Sequence, residues 1–346
     1  MKRITLVAPI NTYTGFGQIA LEMFRRLEQQ GYFVTIRKTG FSEAFGARVP
    51  LEVKSRFVAG PQAEDWEIAM QSLNYRCTPG KKTVLFSMWE TTTIPPGAKE
   101  LVNEATVIVV PCQWNASCFS ACGVTKPIRV VPLGIDPKIY SMKLNTNATG
   151  GPFKFGCAGR WFHGAERKGI NETVALFQRA FEGNPDVRLE CKIFADCPSP
   201  ELADDRITFH KVFWSDEQLA AWYASLDCFV SLATGEGWGL HQQQAMAIGR
   251  PLISPKFGGV AEFFDDRAGY PVRFNLEPVP QPNRFRYIGH WSKCDDDSVI
   301  EQMRYAASHR MESEQKGQEA ARLAGRFTWD NFGLELGKVM DEFGVQ

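Results

Sequence analysis

The chain has 346 residues, 44% hydrophobic and 23% charged, and its 39 Lys plus Arg balance 39 Asp plus Glu. That length predicts two domains, each with its own core. The formal charge of zero excludes a protein that coats nucleic acid through a global basic excess, and no apolar run approaches the roughly 18 residues needed to span a bilayer.

In chain order, RITLVAP reads as a first strand, TYTGFGQ as a glycine-bearing loop, and IALEMFRRLEQQG as a helix with Ile19, Met23 and Leu27 on one face and Gly31 as its stop. FVTIRK, KTVLFSM, ATVIVVP and IRVVPLG follow as strands. This alternation predicts a parallel sheet covered on both faces. The polar, aperiodic stretch from Ser141 to Pro152 reads as a linker. The rhythm then restarts. FKFGCAGR, RLECKIFA, ITFHKV, DCFVSL, RPLISP and YPVRF are predicted strands, and NETVALFQRAFEG is a predicted helix. SDEQLAAWYASL is another, with Ser215 and Gln218 at capping-box spacing. Residues Asn275 to Lys293 read as a long loop, and the remainder from Asp297 as helices, the last from Trp329 to about Phe343. The fold class is therefore α/β, in two halves without a visible internal repeat. In such sheets ligands sit beyond the carboxyl ends of the strands, so the loops after strands are where chemistry is sought.

Three of those loops carry suitable residues. Gly15 and Gly17 stand between a strand and a helix, where backbone amides can approach an anion; the spacing is not that of the dinucleotide fingerprint. In GRWFHGAERKGI, Arg160 ends a strand and Lys168 precedes a glycine and a helix, a pair suited to holding a diphosphate. In EGWGLHQQQAMAIGRPLI, Glu236 follows a strand, and the amides of Gly237, Trp238, Gly239 and Leu240 lead into a helix and can receive phosphate oxygens. Gln244 lies eight positions after Glu236, so both can point into one cleft. Three consecutive glutamines, 242 to 244, cannot share one face of a helix, so at least one is expected at the surface.

EGWGLHQQQAMAIGRPLI resembles the signature of retaining glycosyltransferase family 4, whose members usually open Glu-Gly-Phe-Gly-Leu and place a second glutamate eight residues after the first. GRW…RKG is similar to that family's Arg and Lys pair for the donor diphosphate, and TGFGQ to its first-domain glycine loop. MWETTTIPPG, VVPCQWNASCF and VVPLGIDPKIY resemble segments from one branch of it. The resemblance implies a GT-B fold, two Rossmann-like parallel-sheet domains facing a central cleft. Residues 1–145 would be the acceptor-side domain, with the C-terminal helix 329–346 packing back on it, and 152–328 the nucleotide-sugar-binding domain. It implies a nucleoside diphosphate sugar donor, UDP- or GDP-linked, with no separate cofactor and no metal. Glu236 matches the glutamate near the transferred sugar, Arg160 and Lys168 the diphosphate pair, and Gly15 and Gly17 the loop that closes over the phosphates.

Three positions depart from the family pattern. Gln244 stands where the ribose-binding glutamate is usual, and His241 where proline is frequent. The five histidines all fall after residue 160, so the first domain lacks the histidine that many relatives carry; Glu90 of MWET is the candidate substitute. The acidic pairs at Asp204–Asp205, Asp265–Asp266 and Asp295–Asp297 read as caps and turns rather than a metal site. The nine cysteines show no zinc spacing and read as reduced thiols of a cytoplasmic protein, in which the triplets at Asn115, Asn147 and Asn171 are chance matches to a glycosylation pattern. The expected function is retaining transfer of a sugar to an acceptor that the sequence leaves open among glycan, lipid, protein and modified nucleic-acid base. The alternative is a catalytically inactive GT-B-like nucleotide-sugar-binding or partner protein.

Overall fold

The computed structural model describes residues 2–11, 14–40, 49–142, 151–161, 167–198, 200–281, 283 and 286–345. The chain forms two compact units, Met1–Gly134 with Phe327–Gln346, and Ile135–Arg326.

The first unit is built on seven strands: β1 (Lys2–Ala8), β2 (Tyr32–Lys38), β3 (Phe57–Val58), β4 (Trp66–Met70), β5 (Lys82–Phe86), β6 (Val107–Val110) and β7 (Ile128–Val130). They lie in the order β3-β2-β1-β4-β5-β6-β7, every neighbouring pair parallel. The central strand β4, WEIAM, is absent from the predicted set. It is only five residues long and a glutamate interrupts its apolar run, yet all five residues are buried. The Glu67 carboxylate accepts hydrogen bonds from Arg37 Nη2 at 3.1 Å, Tyr75 Oη at 3.0 Å, Thr78 Oγ1 at 2.8 Å and Thr83 Oγ1 at 3.3 Å. A buried charge is tolerated when its lone pairs are filled in this way.

The glycine-bearing segment is helical where a loop was expected. The helix starts at Gly15 and runs to Gln29, with Thr14 as N-cap, its Oγ1 accepting from Gly17 N at 3.0 Å. A Cβ on Gly17 would lie 2.3 Å from the Asn11 carbonyl oxygen, so the close approach of the preceding segment requires glycine there. The final helix, Trp329–Glu342, belongs to this unit: Asp330 pairs with Arg26 at 2.6 Å, and the ring of the fully buried Phe332 sits 6.0 Å from that of Phe86.

The second unit carries β8 (Phe153–Gly159), β9 (Val187–Ile193), β10 (Ile207–Lys211), β11 (Cys228–Val230), β12 (Leu252–Pro255) and β13 (Gly269–Val272). The order is β10-β9-β8-β11-β12-β13, again all parallel. Phe153, Phe155, Phe177, Leu189 and Met303 are among the residues of its core. Helix Asp216–Ala224 opens with both halves of the Ser215–Gln218 capping box in place. The segment Ile135–Met142 packs with this unit although the sequence places the boundary nearer 145; Tyr140 is buried, and its hydroxyl donates to Asp216 at 3.0 Å. Residues 143–150 of the expected linker lie outside the described residues.

The expected long loop from 275 to 293 begins and ends as a hairpin, β14 (Phe274–Pro278) paired antiparallel with β15 (His290–Cys294). β14, FNLEP, alternates apolar and polar residues, but it is only five residues long, ends at a proline and has four exposed residues, so nothing in its composition sets it apart from a loop. The two main sheets wind alike, each starting centrally, going out one way and then returning to continue on the other side. The direction reverses between β1 and β4, and between β8 and β11. Such switch points are where open α/β sheets take ligands.

Candidate active site of the second unit

Arg160 immediately follows β8, and Glu236 lies shortly beyond β11, so the two loops that part at the second switch point carry the predicted residues. Glu236 is buried, with 9% of its surface exposed. Lys168 Nζ donates to its Oε1 at 2.6 Å, and Arg167 Nη1 to its Oε2 at 3.2 Å and also to the Gly235 carbonyl. Burial by itself would raise the carboxyl pKa. The two cations outweigh that and hold it at about 2, so Glu236 is ionised across the physiological range.

The surroundings fix this carboxylate through the backbone. Thr234 N donates to the Arg167 carbonyl at 2.8 Å, joining the two loops. Ser292 of β15 donates to the Thr234 carbonyl through both its amide, at 2.8 Å, and its hydroxyl, at 3.0 Å, so the unpredicted hairpin supports the site. Gly259 N donates to the Glu236 carbonyl at 2.8 Å. Gly258 has φ of +66°, and a Cβ there would stand 2.5 Å from that same carbonyl oxygen.

Arg167 was not singled out in the sequence, where one more cation beside Lys168 reads as solvated charge. The available signal was a doubled cation directly before the glycine that opens a helix. Gly169 is left-handed, and helix Ile170–Ala180 follows. Arg160 donates from Nη1 and Nη2 to Asp196 Oδ2 at 2.8 and 2.6 Å, and its guanidinium lies 5.0 Å from the centre of the Phe194 ring. Asp196 is 43% exposed, so an anionic ligand can compete for the guanidinium at small cost. Residues 162–166 lie outside the described residues.

Helix Leu240–Ala247 starts at Gly239, which is left-handed, and its first turn contains no acidic side chain. Its free amides are therefore not already taken by a carboxylate of that turn. Trp238 can contribute its amide only, since its indole is core, 5.3 Å from Phe263 and donating to Gln243 Oε1 at 2.7 Å. The expectation that one of the three glutamines is exposed is wrong: Gln242, Gln243 and Gln244 are 2%, 0% and 3% exposed. From Gln242 to Ala247 every residue of the helix is buried, and polar groups meet the glutamines. Gln242 Nε2 donates to Ser231 Oγ at 2.7 Å, Gln243 takes the Trp238 indole, and Gln244 Oε1 accepts from Tyr223 Oη at 3.5 Å. Tyr223 Oη also lies 2.8 Å from His241 Nδ1. Burial pushes the His241 pKa down, and the nearby ammoniums of Lys192 and Lys168 push it further, to about 3, so the imidazole is neutral.

Gly15 and Gly17 lie in the first turn of the first unit's opening helix, and Glu90 is half-buried in the bend after β5. That bend is pinned by Trp89, whose amide donates to Asn115 Oδ1 at 2.6 Å and whose indole donates to Thr91 and Thr93. The acidic pairs serve locally: Asp295 caps helix Asp296–Ser308, and Asp204 and Asp265 each accept from the arginine two residues on. Among the described residues no helix is long and apolar enough to cross a membrane.

Two Rossmann-like sheets of this order define the GT-B fold, and solved GT-B enzymes share it along the chain. Sucrose-phosphate synthase from Thermosynechococcus elongatus superposes with a TM-score of 0.72 at 15% identity, covering 99% of both chains. HepE of Anabaena, solved in complex with UDP and glucose, gives 0.70 at 12% identity, covering 99% of this chain and 100% of that one. Alpha,alpha-trehalose 6-phosphate synthase from Burkholderia multivorans gives 0.67 at 11%, covering 99% of both. No curated protein sequence matches the chain significantly. Residues 152–277 match the family model of glycosyl transferases group 1, so the second unit carries a glycosyltransferase domain of that group.

Proposed function

We propose that the protein is a retaining glycosyltransferase that takes a nucleoside diphosphate sugar, UDP- or GDP-linked, at the carboxyl end of β8 and β11. The observation that carries this reading is Glu236, an ionised carboxylate buried between Lys168 and Arg167 at the switch point of a group 1 glycosyltransferase domain. HepE, of the same fold, is known with UDP and glucose, which supports a UDP-linked donor.

In this reading the diphosphate takes over Lys168 and Arg160, both of which have carboxylate partners in the free protein. With the amides of Gly237 to Leu240, these cations stabilise the negative charge that builds on the departing diphosphate. Glu236 keeps Arg167 and accepts hydroxyls of the transferred sugar, orienting it for same-face substitution through an oxocarbenium-like transition state. The leaving diphosphate receives the acceptor proton, and no metal is needed. The first unit is assigned the acceptor side; within it Gly15 and Gly17 keep the donor-phosphate role and Glu90 the catalytic role that the resemblance implies. Gln244 supplies one acceptor and one donor group where the family uses a carboxylate, so ribose binding is retained and weaker.

The alternative of an inactive nucleotide-sugar-binding protein draws on Gln244 and on the lack of a histidine in the first domain. Slow release of free sugar from a panel of UDP-, GDP- and ADP-sugars separates the two. Turnover of one donor, insensitive to a chelator, supports the enzyme. Binding without turnover of any donor supports the alternative, and rescue of a chelated sample by Mn²⁺ overturns the metal-free mechanism.

A further inference from the structure

The hairpin of β14 and β15 meets the site at more points than the Ser292 contact. Phe274 at its start packs against Phe257 with ring centroids 5.7 Å apart, and Phe257 leads into the Gly258–Gly259 turn that holds the Glu236 carbonyl. Lys293 near its end reaches Glu172 Oε1 at 3.5 Å, in the first turn of the helix that follows Lys168 and Gly169. β14 itself is largely exposed, yet Val279 and Tyr287 in the loop beyond it are buried. The match to the family model ends at 277, within β14, so this loop and β15 lie outside it.

Tyr287 is the residue of that loop that reaches the charged centre. The Arg167 guanidinium lies over its ring, 5.9 Å from the centroid, within the reach of cation–π attraction. Arg167 thus meets the Gly235 carbonyl and Glu236 through Nη1, and Tyr287 through the aromatic face. The ring is held in turn through its own backbone. The Tyr287 amide donates to Asn283 Oδ1 at 2.8 Å, and its carbonyl accepts from Asn283 Nδ2 at 2.8 Å and Gln281 Nε2 at 2.7 Å. Immediately before it, Arg286 has φ of +59°, and among the described residues it is the one non-glycine residue with positive φ. A side chain with a Cβ disfavours that conformation. Such strain persists where the surroundings over-determine it, and it gathers at functional sites.

We propose that Tyr287 is a positioning residue for Arg167, and through it for Glu236, and that the β14–β15 hairpin is the frame that presents it. This rests on the transfer reading above. In that reading Lys168 leaves Glu236 for the diphosphate, so Arg167 is the cation that stays with the carboxylate. An arginine side chain is long and has several rotatable bonds. A guanidinium that also followed the diphosphate would leave Glu236 buried without a counter-charge. The Tyr287 face restricts that freedom and keeps Nη1 where it meets both Gly235 and Glu236. Tyr287 acts through Arg167, so its loss should fall on the step that Glu236 orients and spare the binding of the diphosphate.

The test compares Tyr287→Leu and Tyr287→Phe with the wild type, and adds Asn283→Ala, which releases the Tyr287 backbone and leaves the ring in the chain. The measurements are the rate of free-sugar release at saturating donor, calorimetric affinity for whichever of UDP, GDP and ADP the wild type binds, and the thermal midpoint. Tyr287→Leu is expected to slow release about tenfold and to leave the nucleotide dissociation constant within about twofold, because Lys168 and Arg160 are untouched. Tyr287→Phe keeps the aromatic face and is expected to release sugar within about twofold of the wild-type rate. A Tyr287→Leu variant within about twofold of the wild-type rate overturns the proposal. So does a nucleotide affinity that falls as far as the rate, which makes Tyr287 structural. A Tyr287→Phe variant as slow as Tyr287→Leu moves the role to the hydroxyl and overturns it too. If Tyr287→Leu fails to fold, Asn283→Ala decides: slowed release with retained affinity supports the proposal, and wild-type release overturns it. Each of these outcomes leaves the donor reading standing. A wild type that releases sugar from no donor of the panel overturns the transfer reading and the inference with it.

Discussion

Glu67 of the first unit and Glu236 of the second are both buried against arginine, and the two are built for different ends. Glu67 sits near the amino end of β4 in the first unit, where three hydroxyls and Arg37 fill its lone pairs. Glu236 sits beyond the carboxyl end of β11 in the second unit and faces two cations in loops. The hydroxyls around Glu67 close its network, because they come from Thr83 on the neighbouring strand and from Tyr75 and Thr78 in the segment that leads to it. The cations around Glu236 form a contact that an anion can enter by competition. Burial and an arginine partner are common to both, so neither marks a site. Position relative to the strand ends, and partners that can exchange, distinguish them.

The contrast can be broken by mutation. Glu67→Ala removes the counter-charge of the half-buried Arg37 and the shared acceptor of Tyr75, Thr78 and Thr83, and is expected to cost about 3 kcal/mol in chemical denaturation while turnover per folded molecule stays at the wild-type value. A mild loss, within about 1 kcal/mol, would show that Glu67 does not hold its sheet. Lys168→Ala is expected to lower kcat by about 10²–10³, some 3–4 kcal/mol, with a smaller loss of stability than Glu67→Ala because Arg167 still pairs with Glu236. Wild-type turnover in that variant would remove Lys168 from the diphosphate.

His241 sharpens the comparison through pH. Its native pKa is depressed to about 3, so the unfolded chain binds a proton that the native state refuses. The stability this contributes is complete above about pH 6.5 and falls as pH drops from there towards 3, by up to about 1 kcal/mol per pH unit. Denaturation between pH 7 and 5 should show this slope in the wild type and a shallower one in His241→Gln; equal slopes would place the titration elsewhere. The smallest effect is expected from Gln244→Glu, a gain of about 1 kcal/mol in nucleotide affinity, since a carboxylate strengthens the bond to a ribose hydroxyl. An unchanged dissociation constant would detach Gln244 from the ribose.

The β-then-α rhythm and the placement of Arg160, Lys168 and Glu236 in loops after strands were legible in the sequence, because each depends on local pattern: apolar runs, glycine at a turn, charge at a strand end. What was illegible depended on long-range partners. WEIAM looks too short and too polar for a central strand until Arg37, Tyr75, Thr78 and Thr83 converge on Glu67. The burial of all three glutamines requires knowing that Ser231, Trp238 and Tyr223 surround the helix. Arg167 acquires a role only once Gly235 and Glu236 come back beside it, and the hairpin of β14 and β15 matters because Ser292 supports Thr234.

The central claim is that a nucleoside diphosphate is bound at the carboxyl end of β8 and β11 through Lys168. Calorimetric titration of UDP, GDP and ADP into the wild type and Lys168→Ala tests it most directly. At least one of the three nucleotides should bind the wild type, and the variant should bind it at least tenfold more weakly while keeping its fold. A wild type that binds none of them, or a folded variant that binds as tightly as the wild type, would contradict the account.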